Sequence, residues 1–190
     1  MKKIRKTIAE DEEFLRQISK PVDFTQNNWQ EAIKILDDFC EQDNNYMAMA
    51  SVQLGIPLRI IYLKKTDLER LDEDYNEKEV LINPVILNSY GLTRYWEACV
   101  SCLDNTGLVD RPYQIDLEYY DINGNIHHDT FTGFKATVIS HEIDHLDGIL
   151  HIDIASKILQ MNQEERKKYR ELHPYEIIRT DGAYIHPKNK

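Results

Sequence analysis

The segment His141-Glu142-Ile143-Asp144-His145 constrains this chain more than any other. Two imidazoles four residues apart stand one above the other on a helical face, where both can reach one metal ion. The residues around them support a helix over 134–147, ended by Gly148. Val138 and Phe134 lie one and two turns before His141 on the same face, so the histidines face the core side. Buried histidines need partners, and an ion provides one. Glu142, one step round the helix, can touch a water at the ion and take and return its proton. The bland alternative is a pair of surface histidines on an acidic helix.

Two imidazoles do not complete a site. Candidates for the third ligand are Cys99, Cys102, His127, His128 and His151. Cys99 and Cys102 have Cys-x-x-Cys spacing, which opens two further readings. Cys99, Cys102, His141 and His145 could close around a structural zinc. Alternatively the two cysteines form a redox pair, although no strand leads into a helix N-terminus there. The closed site leaves Glu142 without a task, which favours an open site using Cys99.

At 190 residues the chain is expected to form one domain with a small extension. Three cysteines (Cys40, Cys99, Cys102) make no disulfide framework and fit a reducing compartment. The charge of −10 argues against a general binder of nucleic-acid backbones. No apolar run approaches the roughly 20 residues of a membrane span. The basic start, Met1 to Lys6, is followed by acidic residues Glu10 to Glu13 rather than a signal-peptide core, so secretion is not expected.

Residues 10–19 read as a short helix carrying Phe14, Leu15 and Ile18, stopped before Pro21. Residues 28–42 read as an amphipathic helix with Trp29, Ile33, Leu36 and Cys40 on one stripe. Residues 58–63 read as a strand, 64–79 as a charged loop or short helix, and 80–87 as a second apolar run with Pro84 at an edge or bulge. The alternation of Ile115, Leu117 and Tyr119 marks a half-buried strand over 114–120, and Asn123-Gly124 turns it into a partner at 125–131. A last helix covers 163–172, with Asn162 as N-cap and Glu165 completing a capping box. Short strands followed by helices indicate an α+β domain.

Taken together, these residues resemble the peptide deformylase family, which carries Gly-x-Gly-x-Ala-Ala-x-Gln, then Glu-Gly-Cys-x-Ser, then Gln-His-Glu-x-Asp-His-Leu. The third motif stands here as Ser140 to Leu146, the second as Glu97-Ala98-Cys99-Val100-Ser101, and the first as Tyr46 to Gln53. Linking text agrees at Leu15-Arg16, Lys20-Pro21-Val22, Leu81 to Pro84, Val109 to Pro112 and Asp121 to Gly124, so the resemblance spans roughly 9–155. It implies an α+β fold, with antiparallel sheets around a central metal-binding helix. It divides the chain into a catalytic domain over 1–155 and a helical extension over 156–190.

The resemblance implies that Cys99, His141 and His145 bind one divalent ion, usually ferrous iron, with zinc, nickel or cobalt able to replace it. Glu142 would be general base and then acid. Gln53 and the Val100 N–H would form the oxyanion hole, and Glu97 would pair with Arg111 to hold the Cys99 loop. The substrate would lie as an added strand against Tyr46, Met47 and Ala48, near Ala98. Its first side chain would enter a pocket of Met47, Tyr95, Phe134, Thr137, Val138 and His141. Phe134 and Val138 serve equally well as plain core. The reaction implied is removal of formyl from N-formylmethionyl peptides of nascent proteins, releasing formate.

The chain departs from the pattern at Tyr46, Ala48 and Ala98, which stand for glycines, at Ser51 for an alanine, and at Ser140 for Gln. Glycine allows close backbone approach, so these changes bear on substrate choice. The alternatives are a related hydrolase with another acyl or peptide preference, and a metal-stabilised binding protein without catalysis. Arg166, Lys167, Lys168 and Arg170 in the tail read first as a solvated helix face. The sharper reading is a transient ribosome contact. A cytoplasmic monomer acting on formylated peptides, with no DNA and no membrane partner, is expected.

Overall fold

The computed structural model describes residues 5–42, 46–64 and 78–189. The charged stretch expected as a loop or short helix over 64–79 lies outside the described residues, apart from its two ends. In chain order the elements are α1 (Glu12–Leu15), α2 (Asn28–Cys40), β1 (Ala48–Ala50), β2 (Ile60–Lys64), β3 (Lys78–Ala98), β4 (Asn105–Arg111), β5 (Gln114–Tyr120) and β6 (Ile126–Thr132). They continue as α3 (Gly133–Leu146), α4 (His151–Ile154), β7 (Lys157–Gln160), α5 (Gln163–Leu172) and β8 (Glu176–Ala183). Among the described residues these strands pair antiparallel throughout, in an α+β arrangement.

Strand periodicity builds two cores. On β2, Ile60 and Tyr62 turn to one face and pack with Trp29, Ala32, Leu36 and Cys40 of α2. Ile61 and Leu63 turn to the other face and pack with Ile115, Leu117 and Tyr119 of β5 and Ala136, Ile139, Ile143 and Leu146 of α3. Helix α3 thus lies against β1, β2, β3, β5 and β6. Its spacing of core residues leaves a second face for His141 and His145. After Leu146 the chain turns at Gly148, whose φ is +71°, and a Cβ there would run into the Arg16 carbonyl.

Strand β3 organises the sheet, pairing in succession with β2, β5, β8 and β4. Pro84 does not end it. Asn83 takes φ +51° and its amide bonds Val22 in both directions (2.7 and 3.0 Å), which absorbs the register shift between Ile82 and Val85. Gly91, at φ +73°, supplies a further irregularity where β8 is joined.

The first helix is shorter than its pattern suggested. Only Leu15 is buried within it and Ile18 is 74% exposed, so no apolar stripe sustains a helix to 19. Helix α2 ends at Cys40, while α5 spans 163–172 and carries the expected cap, with Asn162 Oδ1 accepting from Glu164 and Glu165 N–H at 3.0 Å and Glu165 bonding back at 2.8 Å. Strands β1, β4, β7 and β8 were not evident in the sequence. β7 and β8 add the tail to the same sheet through β4 and β3. The tail's basic residues also divide. Arg170 turns inward and bonds the Trp96 carbonyl through Nε (2.8 Å) and Nη2 (2.6 Å), whereas Lys167 and Lys168 are exposed. Among the described residues, no helix is long and apolar enough to cross a membrane.

Candidate metal centre

Two rows of side chains converge between β3 and α3. Alternation along β3 puts Thr93, Tyr95, Glu97 and then Cys99 on one face. Helical spacing puts Phe134, Thr137, His141 and His145 on one side of α3. Where the rows meet, Cys99 Sγ and one ring nitrogen each of His141 and His145 lie within 4.8 Å of one another. Sγ is 3.2 Å from His145 Nε2. Cys99 and His145 are buried, while His141 keeps 13% of its side-chain surface exposed, so the group is reached from outside along His141.

The surroundings prepare these donors. Glu97 Oε2 accepts from His141 Nδ1 at 2.8 Å, which leaves Nε2 as the free ligand atom. The Cys102 thiol faces Cys99 and donates to it, which holds the Cys99 thiol well below its usual range against the opposing effect of burial; His145 adds to the lowering. The same contact, with burial, pushes the Cys102 thiol up, so it keeps its proton. Gln53, in the short turn Ser51–Leu54 after β1, is fixed through Oε1 by the Ala50 N–H (2.9 Å). Its Nε2 donates to Cys99 Sγ (3.2 Å) and Ser101 Oγ (3.1 Å). Glu142 is buried beside the group, burial pushes its carboxyl up, and its Oε2 has no partner among the described residues.

One soft and two imidazole donors, a thiol disposed to ionise and an orphaned carboxylate oxygen form a set that fits one divalent ion with an open position. Cys102 stands outside the ligand group, so the closed four-ligand arrangement does not form. The Cys40, Cys99 and Cys102 thiols are all free. His127 and His128 are not near ligands, since they bond Asp121 (3.1 Å) and Glu118 (2.9 Å) on the hairpin. His151 is closer, its ring 5.8 Å from that of His141, but its Nε2 faces the Asn105 carbonyl at 3.3 Å.

The Glu97–Arg111 pair is no surface bridge. Arg111 is wholly buried and holds Glu97 through Nε (2.7 Å) and Nη2 (3.0 Å), while Nη1 bonds Asp144. His186, from the end of the chain, meets Asp144 Oδ1 at 3.1 Å. Burial would raise the Glu97 carboxyl, but Arg111 and His141 hold it well below the usual carboxylate range. Asp144 is likewise lowered, by Arg111 and His186 against burial.

The residues expected on the substrate side lie around β1, along β3 and on α3. β1 is the sheet's edge, pairing with β2 alone among the described strands, and Met47 and Ala48 lie at its start. Tyr46 instead packs on Phe39 of α2, with ring centroids 5.1 Å apart. Ala98 is half-buried and paired with Thr106, Val100 opens the turn after Cys99, and Val138 packs partly on the core. Tyr95 meets Phe134 edge-on at 5.4 Å. Tyr175 joins them at 6.0 and 5.3 Å, and its hydroxyl is 3.3 Å from Thr137 Oγ1. Asp144, His186 and Tyr175 were not singled out by the sequence as site neighbours. Asp144 alone sat inside a motif, one residue before His145.

A family profile described as Polypeptide deformylase matches residues 2–161. A peptide deformylase of Pelagibacter ubique is 39% identical over 160 residues, covering 82% of this chain and 88% of the relative. A probable peptide deformylase from Synechococcus phage S-SSM7 superposes with a TM-score of 0.67 at 31% identity, over 78% of this chain and 97% of that one. A Met-Ala-Ser-bound class I type b peptide deformylase from Acinetobacter baumannii gives 0.67 at 26% identity, over 78% and 95% of the two chains. With its converging thiol, imidazoles and carboxylate set on this fold, the chain belongs to the polypeptide deformylase family.

Proposed function

We propose that this hydrolase removes formyl from N-formylmethionyl peptides at an ion held by Cys99, His141 and His145, and that Glu142 carries the proton. The observation behind the reading is the three-donor group with an unpartnered oxygen of the buried Glu142 carboxylate beside it. When bound, a divalent ion supplies Lewis acidity at the formyl oxygen and lowers the pKa of water. Glu142 takes a proton from the attacking water and delivers it to the leaving amine, so that formate and a free N-terminus are the products. Gln53 Nε2 and the Val100 N–H donate to the oxygen on which charge develops. Gln53 already directs its amide to Cys99, at the rim of the group. The peptide adds as a strand along β1, with Met47 and Ala48 beside it.

Ferrous iron is the proposed native ion, with zinc, nickel or cobalt as replacements, because thiolate and imidazole suit several divalent metals. Formate release from formyl-Met-Ala-Ser should appear in protein prepared anaerobically with ferrous iron and disappear when the ion is stripped. Turnover by the stripped protein would contradict the reading. The exposed Lys167 and Lys168 on α5 are the proposed site of a transient ribosome contact by a cytoplasmic monomer. Ribosome pelleting that is unchanged in Lys167→Glu/Lys168→Glu would remove that contact.

A further inference from the structure

We propose that Tyr175 forms the far wall of the pocket for the substrate's first side chain, and so limits the size of side chain accepted. The proposal rests on the deformylase reading of the centre and adds a residue from outside the segment that matches the family profile, which ends at 161.

The argument follows the two rows outward from the centre. Glu97 meets His141 at 2.8 Å. Farther out, Tyr95 faces Phe134 at 5.4 Å, and Thr93 Oγ1 meets Thr137 Oγ1 at 3.3 Å. Thr137 lies one helical turn, or ~6 Å, before His141. The rows therefore meet from the one partly exposed ligand outward, with the Tyr95–Phe134 pair as the aromatic part of the seam. Tyr175 packs on this pair from the tail. Its ring stands edge-on to both Tyr95 and Phe134, and its hydroxyl reaches the buried Thr137. A phenol there occupies volume that a long substrate side chain would otherwise use.

Tyr175 is held on both sides. Five residues earlier, Arg170 grips the Trp96 carbonyl and lies 4.7 Å over the Tyr95 ring. Directly after it, Glu176 and Ile177 pair with Arg94 and Thr93 of β3. The tail thus presents Tyr175 as a fixed wall, backed by a cation on one ring of the pocket.

Formyl-Xaa-Ala-Ser peptides with Xaa as Ala, Met and Phe test this on wild type, Tyr175→Phe and Tyr175→Ala. Truncation should raise the Met:Ala and Phe:Ala ratios of kcat/KM by about 10-fold, chiefly through KM, as expected for altered room in an apolar pocket. Tyr175→Phe should keep the wild-type ratios. Equal effects of Tyr175→Ala on all three peptides, or an effect on kcat alone, would overturn the proposal while leaving the deformylase reading standing. Absence of turnover with every peptide in metal-loaded wild type would contradict that reading instead. Calorimetric binding of the products Ala-Ala-Ser, Met-Ala-Ser and Phe-Ala-Ser then decides the wall. A shift towards the larger side chains in Tyr175→Ala, and also in Tyr175→Leu should the alanine variant fold poorly, supports it. No shift, or no binding, overturns it.

Discussion

Arg111 is wholly buried, yet it satisfies two carboxylates and through one of them, Glu97, orients the His141 ring. Removing one partner of such a network leaves uncompensated charge, so Arg111→Ala should cost about 3–5 kcal/mol in denaturant unfolding. Glu97→Gln should weaken metal binding by about 10–100-fold, because His141 loses the carboxylate that fixes its ring; competition with a chromogenic chelator checks this. His151 carries a separate signature. Burial, and then the neighbouring His141, push its pKa down to about 4. The unfolded chain binds the proton first, near the ordinary ~6.5. Stability is therefore fully present above that value and is lost as the pH falls towards 4, by about 3 kcal/mol. Urea melts at several pH values should show this slope, and His151→Gln should flatten it.

Elements with a strong local period were legible. β5 and β6, α3 and α5 lie within a residue of their expected bounds because alternation, a turn signal or a cap marks each. β3 was not legible as one strand: only its 80–87 run was read, with Pro84 at an edge or bulge, and no pattern marked its continuation through Gly91 to Ala98. The fold absorbs both by a bulge at Asn83 and a left-handed glycine. β1 is three residues long, and β8 is mostly exposed, so neither carries a pattern of buried positions. Cys99, His141, His145 and Glu142, which the fold brings together, could be read because they sit in short motifs. Tyr175 and His186 could not, since long-range contacts leave no periodic mark. Asn162→Ala should cost about 1 kcal/mol and speed amide exchange in α5, with core amides unaffected. Gly91→Ala should loosen β8, because a Cβ would stand 2.7 Å from the Arg179 carbonyl.

Across the whole molecule, the tail is tied to the centre from two sides. Tyr175 meets Thr137 of α3, and Tyr184 and His186 bond the Asp110 carbonyl and Asp144, the latter two helical turns farther along α3. The proposed ion, joining Cys99 just after β3 to His141 and His145 on α3, would link sheet and helix. It should raise Tm in proportion to the logarithm of free metal, and Cys99→Ala should abolish that dependence. The central claim is that three side chains hold the ion and a fourth moves the proton. It is tested most directly by formate release from formyl-Met-Ala-Ser in wild type and Glu142→Ala, with metal content measured in both. The account predicts one ion per chain in each and a rate lower by about 10² or more in the variant. Equal rates at equal metal content would contradict it.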